Sequence, residues 1–332
     1  LMNPLTYLVI NLAIIALLMR GSHEVNNGAL TQGEIIALIN YMNQILVSLL
    51  RLADLVISVT RALASGMRVN EILNTHTTMP DPAAAELDAE PAAPAVAFDD
   101  VTFTYNGAGA PSLTNVSFTA KPGETIGVIG GTGSGKSTIA NLIPRFYDTT
   151  EGTVRIYGED VRSYTLDSLR QIIGVVPQKA SLVSGTIAEN LRWGDAAADD
   201  AELEHACKIA QAWEFVSQTS RGLETKVTQG GRSLSGGQKQ RLTIARALVG
   251  HPKLLILDDS MSALDYATDL RRQLAAEMGD VTKIMISQRA TSIQHADHIL
   301  VMDDGKCVGY GTHDELLVQC PVYADIYHTQ MQ

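Results

Sequence analysis

The sequence is short of cysteine and of basic residues, and both shortages exclude classes of protein. Its cysteines, Cys207, Cys307 and Cys320, form neither a disulfide framework nor a C-x-x-C metal site. We expect them to be reduced thiols in a cytosolic domain. Lys and Arg number 25 against 36 Asp and Glu, which gives a formal net charge of −11. Because proteins that bind nucleic acid usually present a basic face, we predict no nucleic-acid partner.

The sequence does not begin with methionine and shows no internal repeat, and we expect no signal peptide. It begins at Leu1, without a charged segment before the first apolar run or an A-x-A site after it, so we expect a piece of a longer protein. Residues 5–19 are almost wholly apolar, but a bilayer span needs about 20 residues. Two alternatives are a membrane helix cut by the start of the chain and a buried helix of a soluble protein.

A second long helix is predicted over residues 33–73, after a polar stretch, 20–32, that contains turn-forming Gly and Asn residues. Five polar residues of this helix recur at intervals of about three, four and seven and therefore share one face: Asn40, Asn43, Gln44, Arg51 and Asp54. In a membrane span such a face usually lines a bundle interior or a water-filled path. In a soluble protein it is the polar side of an amphipathic helix, and hydropathy alone leaves both open.

The rest of the chain divides into a linker and an α/β domain. Residues 75–95 are rich in Pro, Ala and acidic residues and are typical of a linker. After them, short β-rich runs alternate with helical patterns. The apolar runs IIGVV, KLLILD and TKIMIS predict strands buried on both faces of a parallel sheet. VAFDDVTFTY and GTVRIYG alternate and predict an antiparallel flank, while residues 180–250 are mainly helical.

A phosphate-binding loop is the most specific motif. The pattern G-x-x-x-x-G-K-S follows an apolar strand and opens a helix, so backbone N–H groups and the helix N-terminus can face phosphates. The lysine can reach the β- and γ-phosphates and the serine hydroxyl can ligate Mg²⁺. The nucleotide-binding residues predicted from this loop are Gly130, Gly131, Thr132, Gly133, Ser134, Gly135, Lys136, Ser137 and Thr138.

Two further motifs add to this loop. Asp258 ends the apolar run LLIL, which predicts a carboxylate at the carboxyl edge of the sheet, placed to hold Mg²⁺. The segment Leu234-Ser-Gly-Gly-Gln238 precedes KQRLTIARAL, and Ser235 is a good N-cap for the helix that follows. Together the three motifs resemble the ATP-binding-cassette (ABC) family.

The resemblance implies roles for individual residues. In the family, two cassettes sandwich two ATP molecules, and the signature of each cassette faces the ATP of the other. Ser235, Gly236, Gly237 and Gln238 would therefore act on a partner's ATP. Tyr105 matches the aromatic residue that stacks on adenine, and Asp265, in SALD, matches the loop between the two sites. The implied Mg²⁺ ligands are Ser137, Gln178 and Asp258.

The resemblance also implies an architecture. Residues 96–332 resemble an α/β P-loop NTPase cassette with a parallel core sheet, an antiparallel β flank and a helical subdomain. Residues 1–74 look like the last two membrane helices of an exporter half-transporter. The implied cofactors are ATP and Mg²⁺, and the implied partners are a second half-transporter, the lipid membrane and a small-molecule, lipid or peptide substrate. Such a protein is a multi-pass protein of a bacterial-type cell membrane, with its cassette in the cytoplasm.

Two departures from the family pattern concern this chain's own ATP site. The implied catalytic residues are Asp259, Gln288 and Gln178. The family usually has Glu at position 259, and a carboxylate misplaced by about 1 Å can cost ~10²-fold in rate. The family has His at position 288, whose charge an amide cannot supply. Together the two departures predict that this chain is one subunit of a heterodimer and that its own ATP site is the degenerate one. Alternatives are a homodimeric exporter in which Asp259 works as the base and a soluble ABC ATPase.

Overall fold

The structure is a computed structural model that describes residues 2–75, 79, 93–260 and 267–331. Most of the predicted linker, 75–95, and the predicted inter-site residue Asp265 lie outside these residues. The chain divides into two compact units, Leu1–Thr78 and Met79–Gln332, which are described separately below. The domain boundaries predicted at 74 and 96 stay predictions.

The first unit is a pair of helices, α1 (Met2–Asn26) and α2 (Gln32–Leu73). Gly21 lets the two helices approach closely, since a Cβ there would lie 2.8 Å from the Cδ1 of buried Ile35. Thr31 and Glu34 form a capping box that begins α2. The helix predicted over 33–73 is confirmed. The polar stretch 20–32 is largely helical rather than a turn, because α1 continues to Asn26, with an Arg20–Glu24 ion pair at 3.3 Å.

Apolar side chains cover the outside of this unit. Many large ones on α1 and α2 are exposed within the chain, among them Leu8, Leu12, Leu49, Leu55 and Ile57. Exposed apolar surface of this extent indicates contact with lipid or other protein. Among the described residues, one segment, Tyr7–Asn26, is both long and apolar enough to cross a membrane.

The second unit contains two main sheets and one short β-ribbon. Its strands are β1 (Val96–Phe103), β2 (Leu113–Ala120), β3 (Thr125–Gly130), β4 (Glu151–Ile156), β5 (Glu159–Asp160), β6 (Ile173–Val176), β7 (Gly185–Thr186), β8 (Lys226–Val227), β9 (Leu254–Asp258), β10 (Thr282–Ile286), β11 (His298–Asp303) and β12 (Lys306–Gly311). The six-stranded sheet has the order β12-β11-β3-β10-β9-β6, parallel except at the β12 edge. The four-stranded sheet, β2-β1-β4-β5, is antiparallel.

Helices pack on the six-stranded sheet and form a helical subdomain between β6 and β9. They are α3 (Lys136–Leu142), α4 (Leu166–Gln171), α5 (Ile187–Leu191), α6 (Asp200–Ile209), α7 (Trp213–Ser217), α8 (Gly236–Val249), α9 (Ala267–Glu277), α10 (Ala290–Ile293), α11 (His313–Gln319) and α12 (Pro321–Met331). One hydrophobic core joins the antiparallel sheet to one face of the six-stranded sheet, and a second joins the helical subdomain and α12 to the other face.

The predicted layers are present in this unit. The three continuous apolar runs form the parallel strands β6, β9 and β10, with β9 and β10 almost entirely buried. Such burial on both faces is what a parallel sheet between two layers requires. The two alternating runs form β1 and β4, which pair antiparallel. The prediction of a parallel core, an antiparallel flank and a helical region is therefore confirmed.

The helix after the phosphate loop is shorter than its sequence pattern predicts. STIANLIPRF predicts a helix through Phe146, but α3 ends at Leu142. Pro144 has no N–H to continue the helix, and Arg145 takes a left-handed backbone with φ 50°. The Arg145 side chain is 2% exposed and its Nε donates to Asp148 Oδ1 at 2.7 Å. An ion pair between a buried arginine and a half-buried aspartate thus fixes the chain reversal behind α3.

Asp148→Ala should destabilise the protein by about 2–4 kcal/mol, because it leaves the Arg145 charge buried and without this carboxylate. The measurement is the free energy of unfolding by denaturant. Arg272 and Asp269 form the matched control, since they are the same residue types three apart but are 75% and 54% exposed. Asp269→Ala should cost under about 1 kcal/mol. Equal losses in the two variants would contradict the importance of burial.

Candidate functional site

A cavity of about 380 Å³ opens at the carboxyl edge of β3, β9 and β10. Parallel strands bring their carboxyl ends to the same edge, which is where ligands bind in sheets of this kind. The residues that line it are Tyr105, Ser112, Thr132, Gly133, Gly135, Lys136, Ser137, Thr138, Gln178, Asp258, Asp259, Ile286 and Gln288. All of the predicted catalytic and metal-binding residues are among them.

The loop between β3 and α3 is shaped by close backbone contacts. Gly135 has a φ of +97°, and a Cβ there would lie 2.6 Å from Leu113 Cδ2 and 2.7 Å from Ser112 O. Any other residue at this position would have to adopt the left-handed backbone and would also clash with Ser112. Gly130 similarly lies against the backbone of Met302. The loop is thus held against two other strands while its outer side faces the cavity.

Lys136 lies beneath this loop with its ammonium group turned to backbone oxygens. Its Nζ donates to Gly130 O at 2.9 Å and to Gly131 O at 2.6 Å, and the residue is 8% exposed. Burial lowers the pKa of Lys136, and the nearby carboxylates of Asp258 and Asp259 act in the opposite direction. A cation in this position can exchange carbonyl oxygens for those of an anionic ligand.

Two adjacent carboxylates end β9 beside this lysine. Burial raises the pKa of Asp258, and the neighbouring charge of Asp259 acts the same way, whereas a hydrogen bond from Ser137 and the charge of Lys136 lower it. Asp259 leaves the strand with a left-handed backbone, φ 43°, and its N–H donates to Ile286 O at 2.8 Å. Asp tolerates this conformation better than most residues do. The site therefore concentrates negative charge where its walls exclude much of the water.

The three predicted catalytic side chains meet in the same cavity. The Nε2 of Gln178 donates to Asp259 Oδ2 at 3.4 Å, across 81 residues of sequence. Gln288 lines the cavity directly after β10 and Ser287. The cavity thus brings an amide, a carboxylate and a second amide within reach of one ligand. Their catalytic roles stay predictions.

Tyr105 forms an aromatic wall of the cavity. Its ring meets Phe103 edge to face at 4.7 Å between centroids and Tyr147 at 5.1 Å. Its hydroxyl lies 3.3 Å from Thr138 Oγ1, which ties it to α3. Stacking of adenine on Tyr105 stays a prediction. Ser112, which also lines the cavity, was missed because it lies in a turn that no motif marks.

Comparison with known proteins agrees with this geometry. Residues 113–262 match the ABC transporter family. An uncharacterized ABC transporter ATP-binding protein of Mycobacterium tuberculosis is 41% identical over 335 residues, covering 99% of this chain and 57% of that protein. An ATP-dependent lipid A-core flippase of Xanthomonas campestris is 40% identical over 322 residues, which cover 96% of this chain and 54% of the flippase. A bacterial Atm1-family ABC exporter, solved with ATP bound, superposes with a TM-score of 0.78 at 33% identity. The superposition covers 99% of this chain and 58% of the exporter chain.

This chain carries an ABC transporter ATP-binding domain. Its fold is the P-loop NTPase cassette that the motifs predicted. The chain spans a little over half the length of the relatives it matches.

The signature of this ATP-binding domain lies away from its own cavity. Ser235 caps α8 through a capping box, with its Oγ accepting from Gln238 N at 3.2 Å and its N–H donating to Gln238 Oε1 at 2.9 Å. Ser235 and Gly236 are exposed. Among the described residues that line the cavity, none belongs to the signature. The segment therefore presents an exposed, capped helix N-terminus at the surface of the helical subdomain.

The donor groups of the ATP-binding domain fit a hard divalent cation. A hydroxyl from Ser137, a carboxylate from Asp258 and an amide from Gln178 all line the cavity. Mg²⁺ prefers oxygen ligands of this kind, together with phosphate oxygens. Its positive charge would offset the paired carboxylates at the end of β9. As a bound ion, it would neutralise charge on the phosphates.

Asp258→Asn should raise the melting temperature of the nucleotide-free protein, because a buried charge beside Asp259 is removed. An acid whose pKa is raised by folding contributes stability that is present at low pH and lost as pH rises through that pKa. The difference in melting temperature between Asp258→Asn and the wild type should therefore increase from about pH 4 to pH 7. Thermal melting across this range measures it. Exposed Asp303→Asn serves as the control, and a variant less stable at neutral pH would refute this account.

Proposed function

We propose that this chain is the C-terminal part of an exporter half-transporter that binds and hydrolyses Mg·ATP to drive export across a membrane. One observation carries the proposal: Lys136, the acidic pair at the end of β9 and Gln178 converge on one cavity. The names of the similar proteins, a flippase and an exporter, support transport rather than another use of ATP. The apolar surface of α1 and α2 supports insertion of these helices among lipids and other membrane helices.

The binding step follows from the contacts of the phosphate loop. Phosphate oxygens would replace the carbonyl oxygens of Gly130 and Gly131 as partners of the Lys136 ammonium. This exchange brings a full negative charge to the Lys136 ammonium, which is buried and has little contact with water. Electrostatic attraction is strong in such surroundings. The base would stack on Tyr105, at the other wall of the cavity.

Hydrolysis needs a water molecule aligned with the γ-phosphate. Gln178 and Asp259 face the cavity together and would hold that water between an amide and a carboxylate. Gln288 would donate a hydrogen bond to the γ-phosphate. Magnesium, held by Ser137, Asp258 and Gln178, would supply charge neutralisation.

Lys136→Ala should weaken binding of Mg·ATP by about tenfold or more, because a charge-assisted hydrogen bond contributes about 1.5–3 kcal/mol. Binding of a fluorescent ATP analogue to the full-length protein measures the change. Lys208, an exposed residue of α6, provides the control, and Lys208→Ala should bind as the wild type does. Unchanged affinity in Lys136→Ala would refute the assignment of the cavity to ATP.

We further propose that this chain pairs with a different half-transporter that carries Glu and His at the positions of Asp259 and Gln288. The Asp259 carboxylate is one methylene shorter than that of Glu, which weakens its hold on water. Gln288 cannot supply an imidazolium charge. Ser235, by contrast, is exposed on an intact signature and would face the ATP of the partner. The competent site would then combine this signature with the catalytic residues of the partner.

A homodimeric exporter is the second candidate, favoured by the contact between Gln178 Nε2 and Asp259 Oδ2 at 3.4 Å. That contact engages Asp259 with a residue expected to orient water, which is what a working base requires. In this arrangement both sites would be equal and Asp259 would serve in each.

The two candidates differ in how turnover depends on Ser235 and Asp259. In the heterodimer, Ser235→Arg should reduce steady-state ATP hydrolysis of the assembled complex by about 10²-fold or more, through lost phosphate contacts. Asp259→Asn should leave a substantial fraction. Exposed Ser217 on α7 is the control, and Ser217→Arg should leave hydrolysis unchanged. If Asp259→Asn silences the complex as fully as Ser235→Arg does, the homodimer takes the place of the heterodimer.

A further inference from the structure

A short loop between β10 and α10 carries Gln288 into the nucleotide cavity. The loop is fixed at its start, because the Ser287 N–H donates to Val128 O at 3.0 Å. The Ser287 hydroxyl accepts from the Arg289 N–H at 2.9 Å, which turns the chain towards α10. Both Gln288 and Arg289 are exposed, so packing alone does not hold the middle of the loop.

One side chain from the other end of the domain holds this loop by two hydrogen bonds. The Nε2 of Gln330 donates to the backbone oxygen of Gln288 at 2.7 Å. The Oε1 of the same amide accepts from the Ala290 N–H at 2.8 Å. A primary amide is the neutral side-chain group that carries a donor and an acceptor on one carbon, so it can span both backbone groups at once.

The second of these bonds replaces a missing helix cap. α10 begins at Ala290, and Arg289 at its N-cap makes no side-chain capping bond. The first N–H groups of a helix have no partner within the helix and need one from elsewhere. Gln330 supplies that partner for Ala290, and in doing so it ties the start of α10 to the oxygen of Gln288.

Gln330 belongs to a helix that is itself anchored. Tyr323 of α12 is fully buried, and its hydroxyl lies 2.7 Å from His313 Nδ1 on α11. The Tyr323 and Tyr327 rings both meet the His313 ring edge to face. The amide therefore reaches the loop from a packed helix whose side chains interlock with α11.

We propose that Gln330 is a positioning residue that holds the loop 288–290 so that the Gln288 side chain faces the γ-phosphate position of this chain's own site. Through Gln288, it would set how strongly that site prefers a nucleoside triphosphate over a diphosphate. The inference rests on the proposed function, since it requires that the cavity bind nucleotide.

A double-mutant cycle tests the inference in the full-length protein. The quantity measured is the ratio of the Kd for Mg·ADP to the Kd for a non-hydrolysable Mg·ATP analogue. Gln288→Ala and Gln330→Ala should each reduce this ratio by about three- to tenfold, as expected for the loss of one hydrogen bond of typical strength. Because Gln330 acts through Gln288, the double variant should lose no more than Gln288→Ala alone.

Further variants separate positioning from stability. Gln330→Glu keeps an acceptor for the Ala290 N–H but loses the donor to Gln288 O. The ratio of the two Kd values should therefore fall in this variant as it does in Gln330→Ala. Gln319→Ala, at an exposed glutamine of α11, should match the wild type. The melting temperature of Gln330→Ala should fall by no more than about 5 °C, since the two hydrogen bonds of this amide, one exposed and one half-buried, contribute about 1 kcal/mol each or less.

Several results would overturn the inference. A wild-type ratio in Gln330→Ala, or losses that add in the double variant, would show that Gln330 does not act through Gln288. A fall in melting temperature of more than about 5 °C that accompanies an equal loss of affinity for both nucleotides would make Gln330 merely structural. If the wild-type protein binds neither nucleotide, the proposed function falls and this inference falls with it, whereas the first two results overturn the inference alone.

Discussion

Backbone hydrogen bonds between β3, β10 and β9 hold three separate loops at one edge of the central sheet. Ile286 pairs with Val128 on one side and with Asp258 on the other, so the three strands end at nearly the same level. The phosphate loop, the acidic pair and the Gln288 loop follow these strands directly. A slip of the register would move one loop away from the other two. The parallel pairing therefore decides which chemistry meets in the cavity.

The charged side chains at this edge of the sheet each have a hydrogen-bond partner within the domain. Lys136 is held by carbonyl oxygens of its own loop, and Asp258 receives a hydrogen bond from Ser137. Burial nevertheless disfavours the charged form of both, as the directions of their pKa shifts indicate. An anionic ligand together with a divalent cation would offset both penalties.

The domain separates the groups that line its cavity from those exposed at the start of α8. Lys136, Asp258 and Gln178 face the cavity, whereas Ser235 lies at the exposed start of α8 in the helical subdomain. That separation is what an assembly of two cassettes requires. In the proposed heterodimer, Asp259 and Gln288 would belong to one composite site and the signature to the other, so changes at the first two positions are compatible with an intact signature.

Much of this fold and of its site could be predicted from the sequence, because the information is local. The phosphate loop, the apolar runs of β9 and β10, and the Ser235 cap each occupy a few consecutive residues whose spacing matches the backbone geometry they adopt. Tertiary structure alone decided the rest. The Gln330 amide meets Gln288 and Ala290 across about 40 residues. Position 135 has no room for a side chain because Ser112 and Leu113 fill the space where one would go. Such contacts join segments that no short pattern links, so they exist only once the layers have packed.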